Sequence, residues 1–226
     1  MGERVALVAG AGGPLGRATA VSLAGAGFTV VGVDRSEQGL AELAEGIRRE
    51  VGDPTDPAVA RSLVGRIAAE VGAPEVLVNT IGAFRLGEAL TATPEDLRVM
   101  IDANVGAALW LSQAVAPYMR ERGSGAIVHV SARPGIEPTA GMAAYSVSKA
   151  ALAYLTRLLD LELRPHGIRV NAVVPLLLDT PRNRAALGAD QLAHAVRPEA
   201  IAEVIAFLVS DAAAPVSGAL LPAYGA

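Results

Sequence analysis

The sequence predicts an α/β fold, a doubly wound parallel sheet between two helical layers, in a three-layer α/β/α single domain. Three observations predict it. Short apolar runs of strand length alternate along the whole chain with segments of helix length. The runs lack a polar alternation, as expected of strands covered on both faces. The chain of 226 residues, 52% apolar and 19% charged, can bury one large core, and no linker, repeat or low-complexity tract divides residues 1–226.

Val5 to Ala9 is an apolar run that ends in glycines, and Leu15 to Ala26 follows with small and apolar residues suited to a helix packed on a sheet. Next come a strand from Thr29 to Asp34, a helix around Ser36 to Arg49, a helix from Pro57 to Val71 and a strand from Val76 to Asn79. A helix spans Pro94 to Arg122, its start marked by Thr93-Pro94-Glu95-Asp96: a capping hydroxyl, proline at the first helical position and acids in the first turn. The second half continues as a strand from Ala126 to Ser131, a helix from about Ala143 to Arg164, a strand from Arg169 to Val174, a helix from Pro198 to Ser210 and a last strand near Ala219 to Pro222. Gly52 to Pro57 and Pro134 to Gly141 read as loops.

Composition excludes several functions. A formal net charge of -4, without a run of Lys or Arg, removes the electrostatic footprint of a nucleic-acid or anionic-membrane binder. There is no cysteine, and His129, His166 and His194 are scattered without ligand spacing, so no metal site is expected. Met1-Gly2-Glu3-Arg4 leads into only five apolar residues, too few for a signal segment, and no stretch reaches about 18 unbroken apolar residues. A cytoplasmic protein acting on a small molecule is expected.

Gly10, Gly13 and Gly16 lie between the first strand and its helix, where the missing Cβ lets backbone N–H groups approach a pyrophosphate at a positive helix end. A dinucleotide is the natural occupant. Asp34 ends the second strand, where a carboxylate accepts hydrogen bonds from adenosine-ribose hydroxyls and repels a 2′-phosphate. This predicts NAD; Arg35, reaching round to a 2′-phosphate, would instead admit NADP. Tyr145 and Lys149, four apart on a helix, share a face, and an ammonium near a phenol favours phenolate, lowering its pKa from about 10. Tyr145 is the candidate general acid/base.

Through Gly10 to Gly16, Asp53, Asn79-Thr80-Ile81-Gly82, Asn104, Tyr145-x-x-x-Lys149 and Pro175 to Thr180, the chain resembles the classical short-chain dehydrogenase/reductase family over essentially its full length. The resemblance implies a Rossmann fold and a hydride transfer between a nicotinamide and a carbonyl or alcohol. It implies cofactor contacts at Gly10, Gly12, Gly13, Leu15, Gly16, Asp34, Arg35, Asp53, Asn79, Ile81, Gly82, Tyr145, Lys149, Pro175 and Thr180. Of these, Asp53 would bind adenine, Asn79 to Gly82 would pass under the adenosine ribose, and Thr180 would hold the nicotinamide carboxamide. Asn104 would hold a water that links Lys149 to solvent. It also implies a homodimer or homotetramer, through the helices of Trp110, Tyr118 and Tyr145.

The chain departs from the family where the substrate-polarising serine is expected: Ala132 stands there, with Ser131 one step early on the strand. Neighbouring strand residues point to opposite faces, so Ser131 replaces that serine only if the strand has ended or bulged. Losing such a donor costs about 10² to 10³ in rate. Pro14, Thr80-Ile81 and Leu176 are further departures. Gly-x-x-Gly-x-x-Gly spacing, a shortened segment after Asp34, Ala132, Gly141-Met142 and Leu178-Asp179-Thr180-Pro181-x-Asn183-Arg184 resemble dihydropteridine reductases, while Asn104, Asn79 and Arg197-Pro198-Glu199 resemble ordinary bacterial members. Two alternatives to a ketone reductase or alcohol dehydrogenase therefore stand: an NADH-dependent pterin reductase, and a weakened NAD-binding homologue with a sensing or structural role.

Overall fold

A computed structural model describes residues 4–225; Met1-Gly2-Glu3, the start discussed above, lie outside them. Seven parallel strands form one sheet: β1 (Val5–Ala9), β2 (Thr29–Asp34), β3 (Arg48–Val51), β4 (Pro74–Asn79), β5 (Gly125–Val130), β6 (Ile168–Pro175) and β7 (Leu220–Ala223). Their spatial order is β3-β2-β1-β4-β5-β6-β7, so the chain winds outward from β1 in one direction and then, from β4, in the other. The switch lies between β1 and β4, where ligands of such sheets bind beyond the carboxyl ends of the strands.

Helices α1 (Pro14–Gly25) and α9 (Pro198–Val209) cover one face, and α3 (Pro57–Glu70), α5 (Ala107–Arg122) and α6 (Ala143–Leu163) the other. In β1, Ala6 and Val8 enter the first core while Val5, Leu7 and Ala9 enter the second. The two-residue side-chain period thus persists without polar alternation because both faces are buried.

The expected helix over Ser36 to Arg49 is corrected. Only α2 (Glu37–Ala41) is helical, and Arg48–Val51 is an edge strand paired to Val31–Asp34. Gly46, at φ +86°, turns the chain between them. An edge strand has one neighbour, so its charged Arg48-Arg49-Glu50 hid it from a reading that sought apolar runs.

Proline takes the first position of α1, with Gly13 extended before it, so Pro14 replaces a loop glycine without strain. The expected helix over Pro94 to Arg122 is α4 (Pro94–Ile101), a π turn over Asp102–Gly106, and α5. A full capping box joins Thr93 and Asp96. By length and composition this run is apolar enough to cross a membrane, but Met100, Leu111, Val115 and Met119 are fully buried inside the fold. Beyond β6, α7 (Pro181–Ala186) and α8 (Ala189–Leu192) are short helices that periodicity did not reveal.

Candidate active site

At the carboxyl ends of β1 and β4, glycine is required by space. A Cβ on Gly16 would lie 2.1 Å from the Gly10 carbonyl oxygen, and Gly10 itself has φ +81°. Among the described residues, the first-turn amides of Leu15 and Gly16 have no partner, which leaves two N–H donors at a helix N-terminus facing this edge. Thr80 locks the turn by donating its hydroxyl proton to the Ala9 carbonyl at 2.9 Å. Asn79 is fully buried; its Oδ1 accepts from the Ile81 N–H at 3.1 Å while its Nδ2 is unpaired. These orphaned donors and the glycine cradle fit a dinucleotide pyrophosphate.

Asp34 accepts from the Gly12 N–H at 3.0 Å and from the Ser36 N–H at 2.9 Å. Arg35 lies 3.7 Å from Asp53, whose carboxylate also accepts from Thr55. Thr180 caps α7 by accepting from the Asn183 N–H at 3.2 Å, with its hydroxyl proton left to donate. Pro175 ends β6, five residues before Thr180.

Tyr145, Lys149 and Ser148 lie on the first turns of α6. The Lys149 ammonium is buried and donates to the Val130 carbonyl at 2.8 Å, 6.0 Å from the centre of the Tyr145 ring. Desolvation lowers its pKa from 10.5 to about 8. Tyr145 departs from expectation, because burial raises the phenol from 10.0 to about 12. With the ammonium turned onto a carbonyl and held that far off, loss of hydration outweighs attraction. The phenol is therefore protonated at neutral pH in the ligand-free protein.

Asn104 sits in the π turn, a helical irregularity that often marks functional sites. Its amide clasps the loop after β4 from both sides: Oδ1 accepts from the Ala83 N–H at 2.9 Å and Nδ2 donates to the Ala83 carbonyl at 3.0 Å. Nδ2 also donates to Ser148 Oγ at 2.9 Å, and Ser148 donates to the Tyr145 carbonyl at 2.7 Å. Ser148 was absent from the sequence reading; its place one residue before Lys149 was the available signal. A Cβ on Gly82 would lie 2.8 Å from Asn104 Oδ1 and 3.2 Å from Lys149 Nζ, so glycine keeps this space open.

Ser131 is buried, and its hydroxyl donates to the Lys149 carbonyl at 3.1 Å. β5 ends at Val130, yet the Ser131 N–H still bonds the Val173 carbonyl at 2.9 Å, so alternation continues and Ser131 faces α6. Ala132 is extended and buried. Phe84, which the sequence reading missed, packs edge-on against Tyr145 with centroids 4.9 Å apart. Among the described residues, no group of His, Asp or Glu is placed to hold a metal ion.

The short chain dehydrogenase family model matches residues 4–191. The 3-oxoacyl-[acyl-carrier-protein] reductase FabG of Thermotoga maritima is 33% identical, over 96% of this chain and 95% of its own. The cis-4-hydroxycyclohexanecarboxylate dehydrogenase of Sinomonas cyclohexanicum is 38% identical over 99% and 96%. A crystal structure from Burkholderia xenovorans, described as a short-chain dehydrogenase/reductase, superposes with a TM-score of 0.93 at 31% identity, covering 98% of this chain and 95% of that one. Fold and relatives agree over nearly the whole chain, which belongs to the short-chain dehydrogenase/reductase family.

Proposed function

We propose that the protein is an NAD(H)-dependent oxidoreductase that interconverts a carbonyl and its alcohol, with Tyr145 as general acid/base. The observation that carries this reading is the buried Tyr145 phenol on the same helix face as Lys149, whose ammonium faces Gly82 in the loop after β4. When bound, the nicotinamide supplies or accepts the hydride. In reduction, Tyr145 would give its phenol proton to the carbonyl oxygen as that oxygen becomes the alcohol hydroxyl, and would be left as phenolate. Lys149 restores the phenol's proton through the polar groups around it, and Asn104 holds the wall of that path by clasping Ala83. The Leu15 and Gly16 amides would hold the pyrophosphate, and the Thr180 hydroxyl would donate to the carboxamide.

The Asp34 carboxylate beneath Gly12 and the pairing of Arg35 with Asp53 support NAD over NADP. Ala132 supports a second reading, NADH-dependent reduction of a quinonoid pterin, which needs less polarisation of a carbonyl. A homodimer or homotetramer is supported by Val147, Tyr154, Leu158 and Leu161, exposed along α6. A cytoplasmic location goes with the cysteine-free composition.

The test is the initial rate of NADH oxidation with ketones, β-keto esters and quinonoid dihydropterin, for the native protein and Tyr145→Phe. Turnover that Tyr145→Phe abolishes supports the reading. NADH binding without turnover of any substrate overturns it in favour of a sensor.

A further inference from the structure

We infer that the active site selects an uncharged, apolar carbonyl or alcohol, typified by a cyclic or aryl ketone, over carboxylate-bearing, phosphorylated or polyol substrates; this rests on the oxidoreductase reading above. Loops leave the carboxyl ends of β4, β5 and β6 around Tyr145. They expose large apolar side chains: Phe84 at 44%, Leu86 at 71%, Ile136 at 37% and Leu176 at 40%. Of these, Phe84 touches Tyr145 directly, and an apolar side chain exposed against a reactive group marks a binding site better than scattered exposure does.

The Phe84 loop is a fixed wall. Asn104 holds Ala83 on both its N–H and carbonyl. Further along, the Gly87 N–H donates to the Gly141 carbonyl at 2.8 Å, and the Ala143 N–H donates to the Gly87 carbonyl at 2.9 Å. Phe84 thus meets Tyr145 edge-on between two anchors, and nearly half of the side chain remains exposed.

Three of the arginines around the site are already paired. Arg85 pairs with Asp96 at 2.7 Å, Arg133 with Glu137 at 2.6 Å, and Arg184 with Asp179 at 2.5 Å. Arg133 also lies over the Tyr224 ring. An anionic substrate would have to displace a carboxylate from each. Of the hydroxyls on these loops, Ser131 donates to the Lys149 carbonyl and Thr139 to the Glu137 carbonyl, while Ser146 Oγ, buried on α6, has no partner among the described residues. Among the described residues, Glu88 after β4 and Arg182 on α7 are exposed and have no ion-pair partner, and Arg182 is the cation to test.

The experiment compares kcat/KM for NADH-dependent reduction of matched neutral and charged ketones: cyclohexanone with 4-oxocyclohexanecarboxylate, and acetophenone with 4-acetylbenzoate. The native protein, Phe84→Ala, Phe84→Leu and Arg182→Ala are measured, and binding of each ketone to the NADH-loaded protein is followed by calorimetry. The neutral member should lead by about tenfold or more. Phe84→Ala should raise KM for neutral ketones about tenfold with little change in kcat, Phe84→Leu should restore most of it, and Arg182→Ala should leave neutral ketones unaffected. Neutral ketones should bind with a negative heat-capacity change. Equal or better use of the charged ketones, or their selective loss in Arg182→Ala, overturns the inference. If no carbonyl is turned over, the oxidoreductase reading fails, and the calorimetric preference alone decides this one.

Discussion

The Ser131 hydroxyl donates to the Lys149 carbonyl, while the Lys149 ammonium donates to the Val130 carbonyl one residue earlier on the same strand. The two bonds fix the start of α6 to the end of β5. In this arrangement the Ser131 hydroxyl serves the helix backbone. Ser131→Ala should therefore cost about 1 kcal/mol of stability in urea unfolding and less than about tenfold in kcat. A loss of about 10² or more would show that the hydroxyl turns to the substrate.

Ala132→Ser is the complementary test. Added to a buried backbone position at the strand end, the hydroxyl should raise ketone reduction by about tenfold or more if it reaches the substrate oxygen. No gain, together with native turnover of a quinonoid pterin, would favour the pterin reading.

Asn104→Ala removes both clasps on Ala83 and the bond to Ser148. Stability should fall by about 1–3 kcal/mol, since a buried N–H and a carbonyl lose their partner. kcat should fall more than NADH affinity does, which steady-state rates beside fluorescence titration would resolve. Asn104→Asp, which preserves the acceptor for the Ala83 N–H, should recover part of the stability.

The pH profile follows from two shifts. Tyr145 at about 12 stays protonated across the working range, whereas Lys149 at about 8 loses its ammonium above that pH. Carbonyl reduction should be flat up to about pH 8 and fall above it, and alcohol oxidation should rise with pH. Lys149→Met should remove the limb near 8 along with most of the rate. A profile in Lys149→Met identical to the native one would contradict the assignment.

His129 gives a stability signature. It is fully buried between Ser112, 3.3 Å from Nε2, and Thr156, 3.0 Å from Nδ1, and burial lowers its pKa from 6.5 to about 4. Thr156 donates its own proton to the Leu152 carbonyl, so Nδ1 carries the imidazole proton and donates to Thr156. The folded pKa lies below the unfolded one, so the unfolded chain binds the extra proton between them. The contribution is complete above pH 6.5 and is lost as pH falls toward 4, by about 3 kcal/mol in all. Urea unfolding from pH 4 to 7 should show this slope, and His129→Asn should remove about one proton's worth of it.

Most of the sheet was legible because a strand buried on both faces must be an unbroken apolar run, as Val5–Ala9 and Val76, Leu77 and Val78 are. β3 was illegible for the converse reason: an edge strand needs no apolar run, and Arg48-Arg49-Glu50 reads as helix surface. The start of α7 was legible in principle, since Thr180-Pro181 repeats the hydroxyl-proline signature of Thr93-Pro94. In the site, spacing put Tyr145 and Lys149 on one face, but the height of the phenol pKa depends on burial that spacing does not encode. Ser148 and Phe84 were hidden because each acts through a partner distant in sequence, Asn104 for one and α6 for the other.

The π turn over Asp102–Gly106 sets a mechanical constraint on chain length. α4 packs against α6, while α5 packs against α3 and β4, so one rod meets two different partners through faces that the wide turn brings into phase. Each residue added to or taken from an α-helix rotates everything beyond it by about 100°. A one-residue deletion within the turn would swing Trp110 and Leu111 out of alignment with the sheet even if α4 and Asn104 stayed in place. The length of this stretch is therefore set jointly by the catalytic wall at one end and the hydrophobic layer at the other, and it should tolerate substitutions far better than insertions or deletions.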